Sequence, residues 1–463
     1  MSELISKING EISSLVWGAP MLILIISIGI YFTVKTGFFQ FRYFGLIVSK
    51  TIFAAFTDKQ VRIAKDKRSI SQLQALSTAL AATIGTGSIA GVATAITIGG
   101  AGAVFWMWVS ALLGMMTIYA ENVLGIFFRK RNSKGEWAGG AMYYIERGLG
   151  TKWLAVLFAV FCVLASLGMG NMTQSNAISG AVSESFHISA STTGLVCCVI
   201  VGLVVIGGIK RIGNVAEKII PVISVVYTLA ALAVIIINIK EIPAVFSLIF
   251  KGAFGFKAVS GGISGAMIRK AVSMGIRRGV FSNEAGLGSS VIVHSAADIS
   301  EPAVSGMWGI FEVFVDTMIV CTLTAVVILT GGSGSFSLDG APLVIASFRS
   351  GLGGFASIFI TVTIIIFAFA TIIGWAYMGE KALEYILGQK SAFLYRVVFV
   401  GFVYIGAVSQ LELVWDVSDT FNALMAIPNL IALILLSGTV LKITDNYLKR
   451  RKNPSLAPVI SAG

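Results

Sequence analysis

The sequence predicts an all-α integral membrane protein with about eleven transmembrane helices. Three observations predict it. Of 463 residues, 56% are hydrophobic and only 12% are charged, about half the charge of a water-soluble domain. Several runs reach the roughly 20 apolar residues that a bilayer crossing needs. The basic residues fall in clusters between those runs, where the loops on one membrane face would lie.

In chain order, the expected spans lie near 15–35, 74–98, 102–128, 153–182, 191–208, 215–238, 273–298, 303–331, 354–386, 393–409 and 416–441. An aromatic, amphipathic stretch from Phe38 to Phe56 follows the first span and is expected at the interface. The opening run begins after mixed charges and has no small-residue cleavage site, so it reads as a permanent span rather than a signal peptide. Setting that span aside leaves two sets of five. The expected organisation is an N-terminal helix and amphipathic segment (1–72), a first five-helix repeat (73–240), a Gly-rich external loop (241–272), a second repeat (273–442) and a cytoplasmic tail (443–463).

Loop charge orients the chain. Lys59, Arg62, Lys65, Lys67 and Arg68 precede the second span, and Arg129, Lys130, Arg131 and Lys134 follow the third. Lys210, Arg211 and Lys218, then Lys390 and Arg396, then Lys449 to Lys452 land on the same side. The positive-inside rule therefore puts the N-terminus outside and the C-terminus in the cytoplasm of a plasma-membrane protein. Lys251, Lys257, Arg269 and Lys270 run against the rule, because they fall in the expected external loop. The net charge of +12 is spread over loops, with no basic soluble domain to hold nucleic acid. Cys162, Cys197, Cys198 and Cys321 all sit in apolar runs, which speaks for buried thiols. His187 and His294 share no metal-binding spacing.

Two spans carry matching interruptions. The second contains Thr83-Ile84-Gly85-Thr86-Gly87-Ser88, and the seventh contains Phe281-Ser282-Asn283-Glu284-Ala285-Gly286-Leu287-Gly288-Ser289. Each opens one set of five. Glycine weakens a helix by about 1 kcal/mol relative to alanine, and irregular backbone at membrane depth is tolerated only inside protein or against a cavity. One such run alone is ordinary small-residue helix packing. Two at corresponding positions point to the binding site of a secondary transporter. Unwinding frees carbonyls for a cation and N–H groups for a carboxylate. Glu284 reads as a proton site, a cation ligand or a buried partner of Arg277 or Arg278, the ion pair being favoured. Glu312 and Asp316 lie four apart on one helix face and have no role assigned by motif.

The segment Gly99-Gly100-Ala101-Gly102-Ala103-Val104-Phe105-Trp106-Met107-Trp108-Val109-Ser110 and the run Gly275-Ile276-Arg277-Arg278-Gly279-Val280-Phe281-Ser282-Asn283-Glu284-Ala285-Gly286 resemble the alanine or glycine:cation symporter family. The resemblance covers nearly the whole chain. It implies a leucine-transporter-like fold of two inverted five-helix repeats with an extra N-terminal helix. It implies sodium-coupled symport of a small neutral amino acid, alanine or glycine, with Na⁺ as coupling ion, no organic cofactor and no enzymatic activity. By the same resemblance, Thr86 and Gly87 hold the substrate carboxylate, while Phe281, Ser282, Asn283 and Gly286 form the far wall and Trp375 narrows the pocket. Ala81, Ile84, Ala368 and Thr371 would ligate Na⁺. Ser88 stands where the fold's other sodium site has an Asn. Gln174 joins the substrate set on chemistry alone, as a neutral donor and acceptor in a polar run.

Rival classes fare less well. The chain has no Gly-Lys pair and so no Walker A loop, and no nucleophile–base–orienter set is visible. Proton coupling through Glu284 and a channel remain as alternatives, since non-helical segments also line channel filters.

Overall fold

The computed structural model describes residues 2–255, 263–331 and 338–461. Among the described residues, eight helices are long and apolar enough to cross a membrane, or nine if the bent pair Gln72–Thr83 and Gly87–Gly99 counts as one span. The shorter helix Ala190–Val205 takes the fifth expected place, and Ile263–Asn283 with Ser290–His294 takes the seventh. The seventh element starts at Ile263, before the expected 273. Ile242–Phe254 forms a helix of its own between the sixth and seventh, so Lys251, Arg269 and Lys270 are helical. Lys257 lies outside the described residues. The stretch after the first span forms short helices over Phe39–Arg42, Phe44–Val48 and Ala54–Thr57, with Phe41, Phe53 and Phe56 exposed.

Local chemistry sets the boundaries. Ser71 and Gln74 form a capping box at the start of the second span, each side chain bonding the other's backbone N–H at 3.0 Å. Pro20 and Pro302 occupy first-turn positions, where the missing N–H costs nothing. Most of the sixth span, Gly208–Ile237, faces out of the fold. Val222, Val225, Leu229 and Ile236 point outward from it, as a helix facing lipid must.

The third span, Gly102–Phe128, lies at the centre and packs on the seventh and eighth. Small residues allow this: a Cβ on Gly114 would lie 3.0 Å from the Ala285 Cβ. The opening span is also drawn in. A Cβ on Gly29 would come within 2.7 Å of Leu113, and the Trp17 indole N–H donates to the Asp419 carbonyl at 2.8 Å. A hairpin of Lys130–Arg131 with Trp137–Ala138 closes one basic loop, and Arg129 and Arg131 lie 3.9 and 3.7 Å from the Trp137 ring centre.

Arg277 and Arg278 both pair with Asp419 of the eleventh span, at 3.2 Å. The expected pairing with Glu284 does not form. Asp419 takes both arginines, and Glu284 is bonded instead by Trp375 and Ser289. Asp419→Asn is expected to lower stability by about 2 kcal/mol, because the buried Arg278 and the partly buried Arg277 lose the carboxylate they are bonded to. A thermal-unfolding series in detergent checks this; an unchanged midpoint would show the pair to be idle.

Candidate functional site

The first break falls where the sequence places it. Regular helix ends at Thr83, and the axis turns by 48° before Gly87–Gly99 resumes. Residues Gly87–Gly91 form a π-helical turn, a distortion frequent at functional sites. The backbone released here is met by side chains from other spans. The Thr371 hydroxyl donates to the Ala81 carbonyl at 2.8 Å. Gln174 Oε1 accepts from the Thr86 N–H at 3.3 Å, and its Nε2 donates to the Met169 carbonyl at 3.1 Å. Met169 itself sits in a second π-helical turn, Gly168–Met172. The Thr86 hydroxyl is buried and has no partner. Gly85 has no room for a side chain, since a Cβ there would run into the Thr371 hydroxyl and lie 3.2 Å from Gln174 Oε1.

The second break faces the first. Helix ends at Asn283, Glu284 adopts a left-handed φ of 57°, and Gly286 and Gly288 follow at 94° and 75°. A Cβ on Gly87 would lie 3.1 Å from the Phe281 ring and 3.3 Å from the Ser282 backbone. Phe281 stacks on Trp415 at 5.0 Å. Asn283 donates to the Thr317 hydroxyl at 3.1 Å and accepts from the Ala285 N–H at 3.0 Å. The Gly286 carbonyl accepts from Asn429 at 2.9 Å. Trp375 is fully buried, and its indole N–H donates to Glu284 at 2.9 Å.

Among the candidate substrate residues, Gln174 bonds Thr86 and Gly87 lies against Phe281 and Ser282, whereas Asn283, Gly286 and Trp375 bond Thr317, Asn429 and Glu284 instead. Ala81 and Thr371 of the candidate ion set touch directly. Ala368 is buried one turn before Thr371, and Ile84 is buried at the break.

Sequence reading missed the residues that bind the two breaks together. Asp316 lies on a π-helical stretch, Phe314–Cys321. It accepts from Ser88 at 2.6 Å, from Ser282 at 2.9 Å and from Thr317 at 2.7 Å. Glu312, one turn earlier, serves another centre through Ser290 at 2.9 Å and His294 at 2.8 Å. Shared helix face was legible; which level each carboxylate serves was not. Glu121, Asn429 and Asp419 carried no motif signal.

On the side away from the basic loops, a cavity of about 620 Å³ reaches from Asp339 and Glu184 down to Arg278 and Trp415. Ala90, in the π-helical turn of the first break, and Trp415, stacked on Phe281, both line it.

A multi-pass helical membrane protein with two broken helices facing each other has the architecture of a secondary transporter. The sodium:alanine symporter family matches residues 2–461, and the chain belongs to that family. It is 43% identical to the sodium/alanine symporter AgcS of Methanococcus maripaludis, over 97% of this chain and 99% of that one. It is 37% identical to the probable sodium/glutamine symporter GlnT of Bacillus subtilis, over 98% and 92%. Among solved structures, a manganese transporter of Eremococcus coleocola shares the fold at a TM-score of 0.50 and 16% identity, covering 80% of this chain and 79% of that one. The protein is a cation-coupled amino-acid symporter, not an enzyme.

Proposed function

We propose that the protein couples inward Na⁺ movement to uptake of a small neutral amino acid, alanine or glycine, by alternating access in the plasma membrane. The observation that carries this reading is the bond from Thr371 to the Ala81 carbonyl across the first break. Na⁺ takes hard oxygen ligands, as other hard cations do. Ala81 and Ile84 supply carbonyls, and Ala368 and Thr371 supply a carbonyl and a hydroxyl. An ion there braces the broken helix against the ninth span and orders Thr86 and Gly87. The Thr86 and Gly87 N–H groups then take the substrate carboxylate. Gln174, Ser282, Asn283 and the Gly286 region face the ammonium and the small side chain, and Phe281 and Trp375 limit its size.

Binding of ion and substrate is reciprocal, because each stabilises the same ordered break. One charge crossing about 100 mV contributes about 2.3 kcal/mol, and a tenfold Na⁺ gradient adds about 1.4 kcal/mol. Together they sustain a substrate gradient of several hundredfold. We place the basic loops and the C-terminus in the cytoplasm, the N-terminus outside, and residues 73–240 and 273–442 as the two repeats. The cavity above Trp415 then opens outward.

Liposomes carrying the purified protein are expected to accumulate labelled alanine or glycine when an inward Na⁺ gradient is imposed, and not when K⁺ replaces Na⁺. Equal accumulation in K⁺ would remove sodium as the coupling ion. Uptake of glutamine in preference to both would correct the substrate.

A further inference from the structure

Beside the pocket, toward the basic loops, lies a second buried polar centre that the symport reading does not use. We propose that Glu121, Glu284, Glu312 and His294 form a proton-binding site inside the membrane, with the free carboxylate oxygen of Glu121 as the proton's seat.

The three carboxylates are fully buried and come from three elements: the third span, the second break and the eighth span. Glu284 is satisfied at both oxygens, by the Trp375 indole N–H at 2.9 Å and the Ser289 hydroxyl at 2.6 Å. Both Glu312 oxygens accept from Ser290, at 2.9 and 3.0 Å, and one faces His294 Nε2 at 2.8 Å. Glu121 differs. Its Oε1 accepts from Asn429 at 2.6 Å and from the Gly288 N–H at 3.2 Å, while its Oε2 is buried with no partner among the described residues.

Charge counting then requires a cation. Among the described residues, no Lys or Arg pairs with any of the three carboxylates, and His294 supplies at most one positive charge. The other titratable groups around the centre are Tyr144, which bonds Asn429, the Cys162 thiol, and Asp316. None of these adds positive charge. The Glu312 charge bears on both Glu121 and Glu284, so three ionised carboxylates would repel one another in a medium that screens little.

The cation is a proton rather than a metal ion. Among the described residues, no three His, Cys, Asp or Glu side chains come together as a metal cage, and N–H donors already occupy one oxygen of Glu284 and one of Glu121. Glu121 is its seat because a bare oxygen is less costly on a neutral acid than on a carboxylate. Gly286 to Gly288, which hold Asn429 and Glu121, belong to the second break. Rearranging that break during transport therefore disturbs the site.

The protein in lipid vesicles is followed by infrared difference spectroscopy from roughly pH 5 to pH 9. The expected result is a protonated carboxylic-acid carbonyl band at neutral pH that Glu121→Gln removes. The same band surviving in Glu121→Gln, or no such band in the wild type, overturns the proposal. Should Glu121→Gln fail to fold, Glu312→Gln decides: losing its neighbour's charge makes Glu121 easier to ionise, so the band disappears at lower pH, and an unmoved titration overturns the site. Labelled-alanine uptake in the same vesicles keeps the two readings apart. Absent uptake with the band present removes alanine symport and leaves the proton site standing.

Discussion

Thr371→Ala is expected to raise the Na⁺ concentration for half-maximal uptake by about tenfold, with little loss of stability. The hydroxyl is worth about 1.4 kcal/mol to the ion if it contributes an ordinary ligand. Folding loses one hydroxyl donor, shared between the Ala81 and Phe367 carbonyls, and the Ala81 carbonyl it leaves sits where water or Na⁺ can reach an opened break. Thr371→Ser keeps the oxygen and is expected to keep most Na⁺ affinity. Sodium titrations of uptake in both variants check this. Unchanged activation in the alanine variant would move the ion elsewhere, the Asp316 centre being the next set of oxygens to test.

Trp375→Ala is expected to have the larger structural effect and to change selectivity. Removing a buried indole costs about 3–5 kcal/mol through lost burial and the cavity left behind. The Glu284 oxygen also loses its donor. Gly170 packs directly against the Trp375 ring, so the space vacated opens between the π-helical turn of the fourth span and the second break. Leucine and phenylalanine, weak competitors of the wild type on the proposed pocket, should compete with alanine far better in the variant. An unaltered ranking of competitors would take Trp375 out of the pocket wall. Trp375→Phe keeps bulk without the N–H and separates the two losses.

Much of this architecture was legible from the chain alone, for stated physical reasons. Both breaks could be located because glycine runs are costly in a spanning helix unless the backbone is used. The positions of the spans followed from hydropathy, with exceptions that share a cause. The seventh element carries Arg269, Lys270, Arg277 and Arg278, so its polarity hid its true start at Ile263. Pairings across the fold were not legible. Glu284 follows Arg277 and Arg278 closely in sequence, which suggested an ion pair, yet the left-handed turn at Glu284 swings it onto Trp375 and Ser289. Asp316 meets Ser88 across more than 200 residues, and no local pattern could announce that contact. The π-helical stretches at Gly168–Met172 and Phe314–Cys321 also had no composition signal.

The indole of Trp17 holds the carbonyl of the same aspartate whose carboxylate receives Arg277 and Arg278. Arg277 lies 5.4 Å from that indole ring. The opening helix, expected to lie outside the two repeats, is thus fastened to the Arg277–Arg278–Asp419 cluster. Any rocking of the eleventh span must carry the opening helix along or tear this clasp. Changes at residue 17 should therefore alter how fast the carrier cycles, without touching what it carries.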